Sequence, residues 1–202
     1  MPKEVFYGWG AVESLRSWSG KRALLVTDEI MVAQGHAEKV LVPLRESGYQ
    51  VQVFDEVEPE PSHATIRRGA DRALEFQPDV ILGLGGGSCM DAGKLVWLFY
   101  EHPQVKEMGL PQLRAEARRF KLHQKATYVA IPTTSGTGSE CTPVAVVGNH
   151  DVKPPIKVII LNLTMFPDMA ISDAQFPYTM PPSITADTGV DAMTGARVKR
   201  VQ

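Results

Sequence analysis

Two small-residue stretches are the places where this sequence could do chemistry. The first is Gly85-Gly86-Gly87-Ser88, set between an apolar run and a helical pattern. Glycines there let backbone approach a ligand. The helix N-terminus behind them offers unpaired N–H groups and the positive end of its dipole, so a phosphate cradle is one reading. A tight strand-to-helix turn that needs small residues is the other. The tetrad is not the ordinary dinucleotide fingerprint, because Ser88 stands where a third glycine belongs. Nor is it a P-loop, since Gly93-Lys94 is followed by Leu95. Asp91 and Lys94, three apart, share one face of the helix's first turns. An aspartate there suits the dipole in any protein. A lysine opposes it, and a nearby anionic or polar ligand would account for its presence.

The second stretch is Pro132-Thr133-Thr134-Ser135-Gly136-Thr137-Gly138-Ser139-Glu140, with five hydroxyls and two glycines in nine residues. Hydroxyls bonded to phosphate oxygens, ribose or an amide explain that composition better than a surface turn does. Asp28 directly follows the apolar run 23–27. A carboxylate there could accept the ribose 2′-OH of NAD and repel the 2′-phosphate of NADP, or it could cap a helix.

The elements that must position these groups are legible as alternating runs. Strands are expected at 23–27, 50–54, 79–84, 127–131 and 169–172. A helical pattern over 32–47 stops at Gly48, and Pro43 inside it predicts a kink or a late start. Ser62 reads as the cap of a helix whose stripe is Ile66, Ala70, Ala73 and Leu74. A buried helix is expected over 89–102, and a solvated one over 105–124, where Lys106, Arg114, Arg118, Arg119 and Lys121 collect. Extended runs at 144–147 and 156–161, separated by the turn-rich 148–155, suggest a β excursion. Pro181-Pro182-Ser183 marks a boundary, with Ser183 capping the next helix. Strands alternating with helices argue for an α/β, doubly wound, mostly parallel sheet. Such sheets bind ligands beyond the carboxyl ends of their strands, which is where all three unusual loops fall.

Composition sets the outer limits. With 44% hydrophobic and 22% charged residues in 202, the chain is an ordinary globular protein, not a disordered, collagenous or coiled-coil one. Domains of roughly 150 residues allow one domain, or one plus a fragment of another. Lysine and arginine number 21 against 23 acidic residues, and no basic stripe exists, so nucleic acid is not an expected partner. The run Leu95-Val96-Trp97-Leu98-Phe99-Tyr100 is too short to span a bilayer, and MPKEVFYGWG lacks a signal-peptide core. Cys89 and Cys141 cannot make a disulfide framework. The expectation is a cytoplasmic protein with no membrane association.

Taken together the motifs resemble the group III, iron-dependent alcohol dehydrogenases. GGGSCMDAGK (85–94) is similar to that family's GGGSxxDxxK segment, and IPTTSGTGSE (131–140) matches its second signature almost letter for letter. Gly189-Val190-Asp191-Ala192-Met193-Thr194 is similar to the GxDALTHA segment where metal ligation begins. VTDEIMV, KLVWLFYEHP and FPDMAISDA look most like the alcohol dehydrogenase half of the bifunctional acetaldehyde/alcohol dehydrogenases. The IPTTSGTGSE loop speaks against the related glycerol dehydrogenases and dehydroquinate synthases.

The resemblance implies a dehydroquinate synthase-like, NAD-binding α/β domain over 1–181, with 182–202 forming the first helix of a metal-binding helical domain that is cut short. Carried over by position, Asp28, Gly86, Gly87, Ser88, Asp91, Thr133, Thr134, Thr137, Thr142 and Lys157 would contact NAD. Lys157 is assigned because it lies ten residues before Pro167, as the family lysine does before its proline. Asp191 would be the first ligand of Fe²⁺ or Zn²⁺. Gly195 stands where the family has its second, histidine ligand, and Arg197-Val198-Lys199-Arg200-Val201-Gln202 replaces the acidic, aromatic continuation. No other histidine lies in a motif that could substitute; His36, His63, His102, His123 and His150 are expected at the surface. The implied activity is NAD-dependent interconversion of a primary alcohol and an aldehyde, in a homo-oligomer. The catalytic residues are left unassigned. The alternative is an NAD-binding module without catalysis of its own.

Overall fold

The computed structural model describes residues 1–150 and 152–198, with side chains as far as 194 in the last helix. The residue at Gly195 and the basic run 197–202 therefore fall outside the described side chains, as does position 151 within the expected turn-rich stretch.

Six strands form one sheet: β1 (Glu4–Gly8), β2 (Arg22–Val26), β3 (Gln50–Phe54), β4 (Val80–Gly85), β5 (Thr127–Pro132) and β8 (Met169–Asp173). Their order is β1-β8-β5-β4-β2-β3, and every neighbouring pair is parallel. The remaining strands, β6 (Val144–Asn149) and β7 (Ile156–Leu161), pair antiparallel in a separate hairpin, which is the expected β excursion. Because side chains alternate across a strand, the sheet feeds two cores. Leu24, Ile81, Tyr128 and Ala130 join α3 (His63–Phe76), α4 (Gly87–Glu101), α5 (Leu110–Glu116) and the hairpin on one face. Ala23, Leu25, Leu82, Val129 and Ile131 join α2 (His36–Glu46) and the short helical turn 11–17 on the other. The sheet is doubly wound, as expected. The central β4 is buried along its whole length, as an interior parallel strand must be.

Several local expectations need correcting. β1 was not foreseen: EVFYG is charged at one end and glycine at the other, and only its pairing with β8 makes it a strand. The 32–47 pattern resolves into α1 (Glu29–Ala33) and α2, parted by Gly35 at φ 74°, and Pro43 still lies inside α2. α4 opens at Gly87, two residues before expectation. The basic stretch 105–124 is not one solvated helix. It breaks into short turns around α5, because Val105, Leu110, Leu113, Ala117 and Leu122 are drawn into the core. The final helix, α6 (Pro182–Val198), begins at Pro182, so Ser183 sits inside its first turn.

Candidate functional site

The carboxyl ends of β2, β4 and β5 bring the three predicted loops together. Asp28 leaves β2 and caps α1, its Oδ1 accepting the Met31 N–H at 2.8 Å. Its Oδ2 accepts the Cys89 thiol at 3.2 Å. Burial pushes the Cys89 thiol well up, and the Asp28 carboxylate beside it adds to the shift, so the sulfur stays protonated and donates. Of the two readings of Asp28, the structure shows the helix cap. Asp28 also borders a cleft of about 570 Å³ shared with Gly86, Gly87 and Ser88.

The glycines divide by what lies against them. At Gly83 a Cβ would fall 2.2 Å from the Tyr128 hydroxyl, and at Gly93 2.7 Å from the same atom. These two make room for Tyr128, whose hydroxyl donates to the Met90 carbonyl at 2.7 Å. Gly85 has φ 143° and turns the chain; a Cβ there would meet Cys89 Sγ at 2.6 Å. Gly86 and Gly87 are different. Their virtual Cβ atoms face the methyls of Thr134 and Thr137 at 3.6 and 3.5 Å, ordinary contacts across a gap that a side chain would fill. The space between the α4 N-terminus and the hydroxyl loop is thus a cradle open only because both residues lack side chains.

The hydroxyl loop is held to that helix from inside. Lys94 is fully buried, and its Nζ donates to the carbonyls of Ser139 (2.8 Å) and Val144 (2.7 Å) and to the hydroxyls of Ser139 (2.9 Å) and Thr142 (3.4 Å). Asp91 accepts from the Ser139 hydroxyl and, at 3.0 Å, from the Val146 N–H. Burial pulls the Lys94 ammonium down and pushes the Asp91 carboxyl up, while their mutual attraction opposes both shifts. An anionic or polar ligand was expected to account for Lys94; in the structure its partners are the protein's own carbonyls and hydroxyls, with the Asp91 carboxylate 3.6 Å away. Thr133 is buried, its N–H donating to the Gly85 carbonyl at 2.9 Å. Thr134 Oγ1 is buried and has no hydrogen-bond partner among the described residues, beside Gly86. Such an orphan costs stability unless something outside the chain satisfies it.

A second cleft, about 540 Å³, has Gly87, Ser88, Thr137, Thr142, Lys157 and Asp191 among its walls. α6 reaches it by resting on Gly136, where a Cβ would lie 2.1 Å from the Thr188 carbonyl. Eight of the ten predicted cofactor residues border one or both clefts: Asp28, Gly86, Gly87, Ser88, Asp91, Thr137, Thr142 and Lys157. Thr133 and Thr134 line a smaller neighbouring cavity with Asp28 and Gly86. Asp191 is exposed, and no group of three His, Cys, Asp or Glu side chains able to hold a metal occurs among the described residues. The described residues do not by themselves make the donor set of a resident metal ion. One histidine departs from expectation: His36 is buried against Phe176, its Nε2 3.0 Å from Thr179 Oγ1. Ser139, counted in the sequence only as one of five hydroxyls, is made the hub of the loop by its Lys94 and Asp91 contacts. Sequence reasoning passed over Glu60, which stands between Pro59 and Pro61.

Comparison with known proteins agrees with this fold. A family model described as iron-containing alcohol dehydrogenase matches residues 2–174. The NADPH-dependent butanol dehydrogenase of Clostridium saccharobutylicum is 40% identical over 97% of this chain and 50% of its own. The bifunctional aldehyde-alcohol dehydrogenase AdhE of Escherichia coli K12 is 40% identical over 97% of this chain and 23% of its own. The crystal structure of a 1,3-propanediol oxidoreductase superposes with a TM-score of 0.83 at 35% identity, covering 96% of this chain and 50% of that one. The chain therefore spans half or less of the length of these relatives. With the family model covering most of its length, and both signature loops at the strand ends, the chain belongs to the iron-containing alcohol dehydrogenase family.

Proposed function

We propose that this chain binds NAD(H) across the α4 N-terminus and serves as the nucleotide-binding part of an alcohol dehydrogenase acting on a small primary alcohol or aldehyde. One observation carries the reading: the cradle between Gly86, Gly87 and the Thr134 and Thr137 side chains, with the unsatisfied Thr134 hydroxyl in its wall. The first N–H groups of α4 meet the pyrophosphate there. Asp28, already oriented by Met31 and Cys89, presents its free lone pairs to the ribose hydroxyls. Bound nicotinamide supplies the hydride acceptor for the alcohol carbon. On this reading residues 1–181 are the nucleotide-binding unit and 182–202 begin a metal-binding one, in a cytoplasmic homo-oligomer. Among the described residues no helix is long and apolar enough to cross a membrane.

A second reading concerns the metal. Asp191 alone among the family's implied ligands is present, and it is exposed on α6. A catalytic site needs about three protein ligands and an open position. We infer that this chain by itself binds nucleotide without metal chemistry of its own. Titration calorimetry with NADH and NADPH tests the first reading. NADH should bind more tightly, and Asp28→Gly should narrow the difference. Equal affinities in the unaltered chain would remove Asp28 from the ribose site. An ethanol assay with added Fe²⁺ or Zn²⁺ tests the second: chelator-sensitive turnover lost in Asp191→Ala would show a working metal site after all.

A further inference from the structure

The two clefts are strongly acidic. Asp28, Glu29, Asp55, Glu56 and Glu58 border the first, and Glu60, Asp91 and Asp191 border the second. Among the described residues lining either cleft, Lys157 is the one lysine or arginine. It is not free. Its Nζ is 2.9 Å from Glu60 Oε1, in a half-exposed pair.

Glu60 is an unusual residue to find there. Its φ is 56°, in the left-handed region that a glutamate rarely adopts. Three contacts hold it so. Its N–H donates to Ser88 Oγ at 3.4 Å, its carbonyl oxygen lies 3.3 Å from His150 Nε2, and the next residue's carbonyl accepts the Gly148 N–H at 2.9 Å. The segment around it therefore joins the tip of the β6–β7 hairpin to the first turn of α4. It sets a carboxylate at the mouth of the cradle.

Building on the nucleotide reading above, we propose that Glu60 tunes affinity for the nucleotide: its carboxylate occupies Lys157 and must release it before Lys157 can serve a phosphate or ribose oxygen. Two electrostatic effects act in the same direction. The ion pair competes with the ligand for the ammonium, and the carboxylate repels the pyrophosphate directly. A half-exposed pair is a weak competitor, so its removal should tighten binding by about threefold to fivefold. Screening reduces both effects, so the advantage should shrink as salt rises.

The test is fluorescence titration of NADH into the unaltered chain, Glu60→Gln, Lys157→Met and the double variant, at low and moderate ionic strength. Glu60→Gln preserves size and hydrogen-bonding capacity, and a melting curve confirms that each variant folds. The expected result is tighter NADH binding in Glu60→Gln at low salt, weaker binding in Lys157→Met, and a smaller gain from Glu60→Gln when Lys157 is already absent. Unchanged affinity in Glu60→Gln, with normal binding by the unaltered chain, would overturn this role and leave the nucleotide reading standing. Absence of NADH binding in all four proteins would overturn both.

Discussion

The Lys94 ammonium donates to the Ser139 backbone carbonyl at 2.8 Å, joining two residues 45 positions apart and fastening the hydroxyl loop to α4. Among the described residues Lys94 meets two carbonyl and two hydroxyl oxygens, enough to occupy all three protons of its ammonium, so its contacts fasten the loop. Lys94→Met should lower the unfolding free energy by about 3–5 kcal/mol, because it leaves Asp91 buried without its cation. Asp91→Leu combined with Lys94→Met should recover part of that loss. Urea denaturation measures both. A Lys94→Met protein that keeps its stability and loses only nucleotide affinity would return the lysine to the role of a phosphate ligand.

Gly93 and Tyr128 form a lock between α4 and β5. Gly93→Ala places a methyl 2.7 Å from the Tyr128 hydroxyl, which is itself pinned to Met90. Overpacking of this kind costs about 1–3 kcal/mol. Tyr128→Phe removes the nearest atom, so Gly93→Ala should cost less in that background. Thermal melts of the two single variants and the double variant give the coupling directly. Equal costs in both backgrounds would mean that the clash is relieved elsewhere.

Acid sensitivity should come in part from the β8 end of the sheet. Asp168 accepts from Lys3 Nζ at 2.6 Å, from His123 Nδ1 at 3.0 Å and from the Tyr128 N–H at 3.0 Å. Burial alone would push this carboxyl up, but these bonds outweigh it and hold it below the ordinary 3.8. Asp173 is held down the same way, against its own burial, by the N–H groups of Val12, Gln175 and Gly10. Carboxyls lower in the folded than in the unfolded state add stability that is complete above the ordinary value. That stability is lost as pH falls through the folded values. Chemical denaturation from neutral pH downward should show a loss setting in below about pH 4. Asp168→Asn should be less stable at neutral pH and lose less on acidification. An unchanged acid slope in that variant would place the titrating groups elsewhere.

The sheet was legible because each interior strand is a short apolar run ending in a turn, and the hairpin because two such runs flank one turn-rich stretch. β1 was not, since five residues with a charged end carry too little pattern until β8 supplies a partner. The cradle was legible in kind: glycines and hydroxyls announce themselves by type. What each glycine does was not. Gly83 and Gly93 serve Tyr128, which arrives from 35 or more positions away, and only Gly86 and Gly87 face the gap. Lys94 misled for the same reason, because its acceptors are backbone oxygens that no residue type reveals. Glu60 was missed because its importance rests on a left-handed backbone and a partner on β7.

The most direct test of the account is NADH binding by Gly87→Val. The Gly87 backbone is not left-handed, and a Cβ there meets only Thr137 at ordinary distance, so the variant should fold and melt close to the unaltered chain. Its branched side chain fills the gap that the pyrophosphate needs. The account predicts NADH affinity weakened by well over about tenfold in calorimetry, with an unchanged melt. A folded Gly87→Val protein that binds NADH as the unaltered chain does would contradict it and place the phosphates elsewhere.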